Sequence, residues 1–258
     1  MKAHKIIKSK MKKTFPLKQD SFLSHHVPEL HWFSTKSLKR MVESYPQIYV
    51  KPNRGRKGIG ISRVKQLSES EYELSYGNTN KRVSYPELVK ELNRRFVPGK
   101  SYLVQQGIDL ATVNGCPFHI RVVMQKPMDI WRLTVTSAIV AKRKDAVVTN
   151  VARGNTEFPM VQVLKNCDQK LNPMNMIREI VDLSHQIVNV LGARFPFLVV
   201  GLDLGIDKQG KVWFIEANTK PGCKGIDKVN NKESYQKYRE AKKWIRGNKR
   251  RSKNGKSR

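Results

Sequence analysis

The chain has 258 residues, enough for one large domain or two small ones. Fifty Lys and Arg against 21 Asp and Glu give a net charge of +29, which attracts nucleic acid, acidic polymers, anionic headgroups or nucleotide phosphates. Three scattered cysteines, Cys116, Cys167 and Cys223, exclude a disulfide framework; no run is long enough to cross a bilayer, and the basic N-terminus lacks a secretory signal's apolar stretch, so the expectation is a cytoplasmic protein.

Residues 1–33 read as a basic arm, weakly ordered to about Phe15 and then extended. Ser34 or Thr35 caps a short helix with Leu38, Met41 and Val42 inward, ended by Tyr45-Pro46. Ile48–Lys51 reads as a strand, followed by a glycine-rich turn and a strand over Ile59–Lys65. Tyr72–Tyr76 and Lys81–Ser84 flank a hairpin turn at 77–80, and Pro86 opens a helix to Phe96. After Pro98-Gly99 come strands at Tyr102–Gln106, Phe118–Gln125, Leu133–Ala141 and Ala146–Val151. Asn172-Pro173 opens the longest helix, to about Leu191. Phe197–Leu204 and Val212–Ala217 form a hairpin turned at 207–210, and a basic helix from about Asn230 runs into a tail over 248–258 with no apolar anchor. This order describes an α+β fold rather than a doubly wound sheet.

Four segments carry chemistry. In Val50-Lys51-Pro52-Asn53-Arg54-Gly55-Arg56-Lys57-Gly58-Ile59-Gly60, the glycines Gly55, Gly58 and Gly60 let backbone N–H groups approach an anion, and Lys51 supplies a point charge; a glycine-rich hairpin with solvated charges is the plain alternative. Tyr102–Ile108 ends a strand in Gln105 and Gln106 with Ile108 beyond, which suits either a hinge for an adenine edge or an ordinary strand end. Arg121 and Arg143 could converge from neighbouring strands on a phosphate or carboxylate, or simply be exposed arginines. Finally, Asp203, Glu216 and the Asn218 amide fall at strand positions of the closing hairpin, where three oxygen donors suit a hard cation such as Mg²⁺; a surface hairpin with alternating acids is the alternative.

Taken in this order the motifs resemble the ATP-grasp superfamily, most closely its YheC/YheD-like, endospore coat-associated branch, from about Pro28 to Lys224. The Val-Lys-Pro and glycine-loop segment and Glu216-Ala217-Asn218-Thr219-Lys220-Pro221-Gly222 carry most of the likeness. The resemblance implies two α+β lobes with antiparallel sheets sandwiching the nucleotide, a small lobe over 34–106 and a large lobe over 107–226; complete ligases of the superfamily usually carry a substrate domain before this core, and with about 33 residues ahead of the first expected helix the expectation here is that it is absent or vestigial. It implies that Lys51 contacts the α- or β-phosphate of ATP, that residues 55–60 fold over the triphosphate, and that Gln105, Gln106 and Ile108 line the adenine hinge. Arg121 and Arg143 would face the γ-phosphate or an acyl phosphate, while Asn150, Arg153 and Gly154 border the substrate. Asp203, Glu216 and Asn218 would hold one or two Mg²⁺.

Two positions depart from that pattern. Members commonly carry an acid where this chain has His119, and a second glycine where it has Asn155. The leading expectation is an ATP-dependent ligase joining an unidentified carboxylate to an amine or thiol through an acyl phosphate, set by resemblance in the sporulating cell. The alternatives are an ATP-binding, spore-coat-associated protein without turnover, and a polyanion-binding protein using its basic termini, with 237–258 holding eleven Lys and Arg against Glu240 alone.

Overall fold

The computed structural model describes residues 4–147, 154–223 and 225–254. Two antiparallel sheets organise it. The first contains β1 (Leu30–Trp32), β2 (Gln47–Pro52), β3 (Ser62–Gln66), β4 (Glu71–Tyr76), β5 (Thr79–Ser84) and β6 (Tyr102–Gln106), in the order β1-β6-β2-β3-β4-β5. The second contains β8 (Cys116–Gln125), β9 (Arg132–Val140), β10 (Thr156–Phe158), β11 (Val199–Ile206) and β12 (Val212–Asn218), ordered β10-β9-β8-β11-β12, with β7 (Thr112–Val113) paired to β8.

Helices α2 (Thr35–Ser44) and α3 (Tyr85–Arg95) cover one face of the first sheet. The Ser34 hydroxyl accepts from Ser37 N, and the Ser84 backbone N–H donates to Glu87, so both helices start at reciprocal caps that satisfy otherwise orphaned amides. Leu38, Met41, Leu88 and Leu92 pack on Ile48, Val50, Val64, Leu74 and Val104. Strand alternation then sends Lys51, Arg63 and Gln105 to the other face, where they are also buried. Polar residues buried on that face mean that something covers it; hydrogen bonds reach this half from outside it, from the loop after β9 to Arg63 and from the N-terminal segment to Asn53 and Gly55.

The second core joins α1 (Lys10–Gln19), α4 (Met160–Lys165) and α5 (Pro173–Arg194) to Phe118, Ile120, Val122, Leu202, Leu204, Phe214 and Ala217. Phe214 and Ala217 are both inward although three residues apart. A bulge makes this possible: Asp203 pairs with Glu216 but Leu204 pairs with Phe214, so Ile215 is the extra residue. Glu216 is thereby left on the cleft face beside Asp203. α6 (Lys232–Asn254) packs on the same sheet through Tyr238, Ala241 and Ile245.

The largest departure from the sequence reading lies at the N-terminus. Instead of weak order to Phe15, residues 10–19 form α1, capped by Ser9 accepting from Lys12 N. Ile7, Leu17, Leu23 and Val27 join the second core. A lysine-rich run hides this, because lysine stems pack along apolar surface while their ammonium groups seek partners. β3 starts at Ser62 rather than Ile59, since Lys57, Gly58 and Gly60 have positive φ and keep the chain in a loop. Ala146 and Val147 lie outside any strand, and the rest of that expected strand falls outside the described residues. At the C-terminus the expected tail is helical to Asn254.

Candidate functional site

The cleft face of the second sheet gathers its polar residues by register. Asp203 on β11 lies between Arg121 on β8 and Glu216 on β12, and Asn218 pairs with Gly201. Arg121 Nε donates to Asp203 Oδ1 at 2.9 Å and Nη2 to Oδ2 at 3.3 Å; Asn218 Nδ2 donates to the same Oδ2 at 3.0 Å. Gly201 is needed here, because a Cβ would lie 2.7 Å from the Pro221 ring. The first sheet contributes Lys51, whose charge is felt with those of Glu216, Lys10 and Lys13. Structure therefore brings Arg121, Asp203 and Asn218 into contact, with Glu216 beside Asp203, and sets Lys51 within the electrostatic reach of Glu216.

Burial lowers Lys51 to about 8; Glu216 opposes that shift, while Lys10 and Lys13 reinforce it. Burial also lowers Lys13, partly offset by Glu216. Burial pushes Asp203 upward, but Arg121, His119 and the hydrogen bonds from Arg121 and Asn218 outweigh it and leave the carboxyl below its usual range. His119 Nε2 sits 3.8 Å from Asp203 Oδ1, and burial holds its pKa at about 4. That contact is a neutral imidazole beside a carboxylate near pH 7, not an ion pair.

Sequence reasoning missed the N-terminal contribution. Lys10 Nζ lies 3.6 Å and Lys13 Nζ 4.0 Å from Glu216 Oε1, and Lys13 Nζ also donates to Ala217 O. The segment that delivers them is tied to both halves. Ile7 N donates to Thr219 Oγ1 at 3.0 Å, just past β12, while Met11 N and Ser9 Oγ donate to Asn53 Oδ1 at 3.1 and 3.0 Å, just past β2. His4 adds Nε2–H to Thr219 O and accepts from Leu198 N through Nδ1. A signal was present in the i, i+3 spacing of Lys10 and Lys13, but six lysines within the first 13 residues read as solvated charge.

Other expected site residues divide. Gly55, Gly58 and Gly60 form the loop after β2; Gly55 O accepts from Lys10 Nζ at 3.5 Å, and Gly58 and Gly60 have φ of 67° and 76°. Gln105 is buried on the cleft face. Gln106 instead turns to the sheet edge, where its Oε1 accepts from Glu29 N, and Ile108 is half-buried beyond the strand. Arg143 does not join Arg121. It is exposed and grips Asp145 through Nε and Nη2 at 2.9 and 2.7 Å. Its place after β9, in a loop rather than on a strand, lets it fold back onto a residue two positions on. Asn150 and Arg153 lie outside the described residues, and Gly154 is exposed.

The donor set suits a hard cation. Glu216 meets its lysines at ion-pair rather than hydrogen-bond distance, and Asp203 Oδ1 accepts only Arg121 Nε among the hydrogen bonds above, so oxygen lone pairs remain. Among the described residues no three His, Cys, Asp or Glu side chains gather to form a metal cage. Two carboxylates and an amide completed by substrate phosphates is the pattern typical of Mg²⁺.

The chain is 27% identical over 200 residues to the endospore coat-associated protein YheD of Bacillus subtilis, covering 73% of this chain and 42% of YheD. Against YheC of the same organism the identity is 22% over 228 residues, covering 86% of this chain and 62% of YheC, so the chain spans under two thirds of either relative. Among solved structures, the VanG D-Ala:D-Ser ligase from Enterococcus faecalis superposes with a TM-score of 0.57 at 13% identity, over 92% of this chain and 61% of that one, a likeness of fold. The model of the YheC/D-like ATP-grasp family matches residues 4–242, and the chain belongs to that family.

Proposed function

We propose that this protein binds Mg-ATP between its two sheets and uses it as a ligase, activating a carboxylate as an acyl phosphate for attack by an amine or thiol. The carrying observation is the charge balance at the cleft. Lys10, Lys13, Lys51 and Arg121 surround Asp203 and Glu216, leaving two positive charges in excess. A magnesium nucleoside triphosphate carries roughly two negative charges near neutral pH, so it matches that excess. In this reading residues 34–106 and 107–226 act as the small and large lobes.

Each group then has a role. Asp203, Glu216 and Asn218 would hold Mg²⁺, which supplies neutralisation of phosphate charge. Lys51 meets the triphosphate from the small lobe, Lys10 and Lys13 from the N-terminal helix, and the loop of Gly55, Gly58 and Gly60 turns backbone N–H groups toward it. Gln105 would meet the base. Arg121, already held by Asp203, faces the transferring phosphoryl group, where fixed positive charge lowers the barrier by positioning and electrostatics. The curated relatives' endospore-coat association supports a setting in the sporulating cell.

Calorimetry of Mg-ATP binding tests the site: Glu216→Ala should abolish metal-dependent affinity, and Lys51→Ala should weaken binding at least about tenfold. Unchanged affinity in both variants would refute the assignment. ADP release with panels of carboxylates and amines tests turnover. A second reading, nucleotide binding without turnover, is favoured by Arg143, which lies paired with Asp145 rather than beside Arg121. Saturable binding with no ADP release from any panel would select it.

A further inference from the structure

Arg63 is a buried cation that no step above uses. It lies on β3 with 5% of its surface exposed. Its Nη2 donates to Glu73 Oε1 and Ser75 Oγ, both at 3.3 Å, within its own sheet. Its Nη1 crosses to the other half and donates to Asp145 O at 3.1 Å and Ala146 O at 3.4 Å. Those carbonyls belong to the loop after β9, whose Arg143 and Asp145 side chains are locked to each other. The same loop, through Lys142, Arg143 and Asp145, lines a cavity of about 200 Å³ whose opposite wall is Gly58, Asn78 and Asn80 of the first half.

We propose that Arg63 is a positioning residue that pins residues 143–147 of the large half onto the small sheet and so fixes the width of this cavity. The chemistry favours an arginine. Its planar fork sends one nitrogen to a carboxylate in its own sheet and the other to two carbonyls across the cleft, a split that the single ammonium of lysine cannot reproduce. Arg63 Nε is buried and has no hydrogen-bond partner among the described residues. Among those residues the guanidinium is already short of one acceptor. Separating the halves would strip Nη1 of both of its own, and a buried charged donor left unpaired is costly. The pin therefore holds the loop down before any ligand arrives, and does not rest on the nucleotide reading.

Hydrogen exchange on the full chain without ligand tests this, comparing wild type with Arg63→Met and Arg63→Lys. In Arg63→Met, amides of 143–147 should exchange about tenfold faster or more, while those of β8 and β11 stay protected. Arg63→Lys, which keeps one charged donor, should restore part of the protection. Should Arg63→Met fail to fold, Arg63→Lys decides by the same reading, an increase confined to 143–147 supporting the pin. Equal protection in all three proteins, or an increase spread evenly over the small sheet, would overturn it.

Discussion

Arg121 and Asp203 are direct register partners on neighbouring strands, and the guanidinium grips both carboxylate oxygens, at 2.9 and 3.3 Å. Nearly buried, the pair orders the cleft floor without a ligand, because a desolvated carboxylate is tolerated only with a partner of this quality. Asn218 adds a third donor, and neutral His119 completes the surround. An acid at position 119 would add a negative charge beside Asp203; the imidazole leaves the floor more positive. On the proposed Mg-ATP reading, this makes cation affinity lean harder on bound phosphate.

His119 gives the fold a defined acid sensitivity. Its pKa is about 4 in the folded chain against 6.5 ordinarily. Between those values the unfolded chain binds the extra proton, so stability falls as pH drops from 6.5 toward 4. The difference corresponds to about 3 kcal/mol at its full extent. Urea unfolding at several pH values should show His119→Asn losing less stability than wild type across that window. Parallel profiles for the two proteins would mean that His119 is not held neutral.

Thr219 fastens the N-terminal segment. Its Oγ1 accepts from Ile7 N at 3.0 Å and donates to Ile7 O at 3.3 Å, and the side chain is buried. Thr219→Val preserves shape but leaves both Ile7 groups unpaired, an expected loss of about 2 kcal/mol. The effect should also reach the cleft, because Lys10 and Lys13 follow on the same segment. Chemical denaturation and calorimetry together check this: lower stability with weaker Mg-ATP binding is expected, whereas full affinity would show that Lys10 and Lys13 are placed by α1 packing alone.

Part of this site is legible in the sequence for physical reasons. Strand alternation puts Asp203 on the face opposite Leu202 and Leu204, and glycines announce the loop after Lys51. The bulge at Ile215 is not legible, since it depends on pairing with β11, yet it is what keeps Glu216 outward while Phe214 and Ala217 stay in the core. Lys10 and Lys13 were hidden because neighbouring lysines look alike until a fold buries two of them. Gln106 looked equivalent to Gln105, but adjacent strand residues face opposite ways, and pairing with β1 turned its amide toward Glu29.

Lys51 provides the sharpest separation of stability from function. It is 6% exposed, and burial holds its pKa at about 8 against 10.5 ordinarily. Between those values the unfolded chain carries more protons, so Lys51's contribution rises with pH from 8 to 10.5, and below 8 the charged amine penalises the folded state. Lys51→Met should therefore unfold at higher denaturant near pH 7, by about 1–3 kcal/mol, while losing nucleotide affinity. In the wild type, triphosphate affinity should decline as pH rises through about 8, because the phosphates need the protonated amine. Lys51→Arg stays charged throughout that range and should flatten the decline. Calorimetric titrations at pH 7, 8 and 9 on the three proteins decide it. A Lys51→Met variant that is both less stable and fully competent for nucleotide would reverse the role given to this residue, making its ammonium a structural support of Glu216 rather than a charge held in readiness for phosphate.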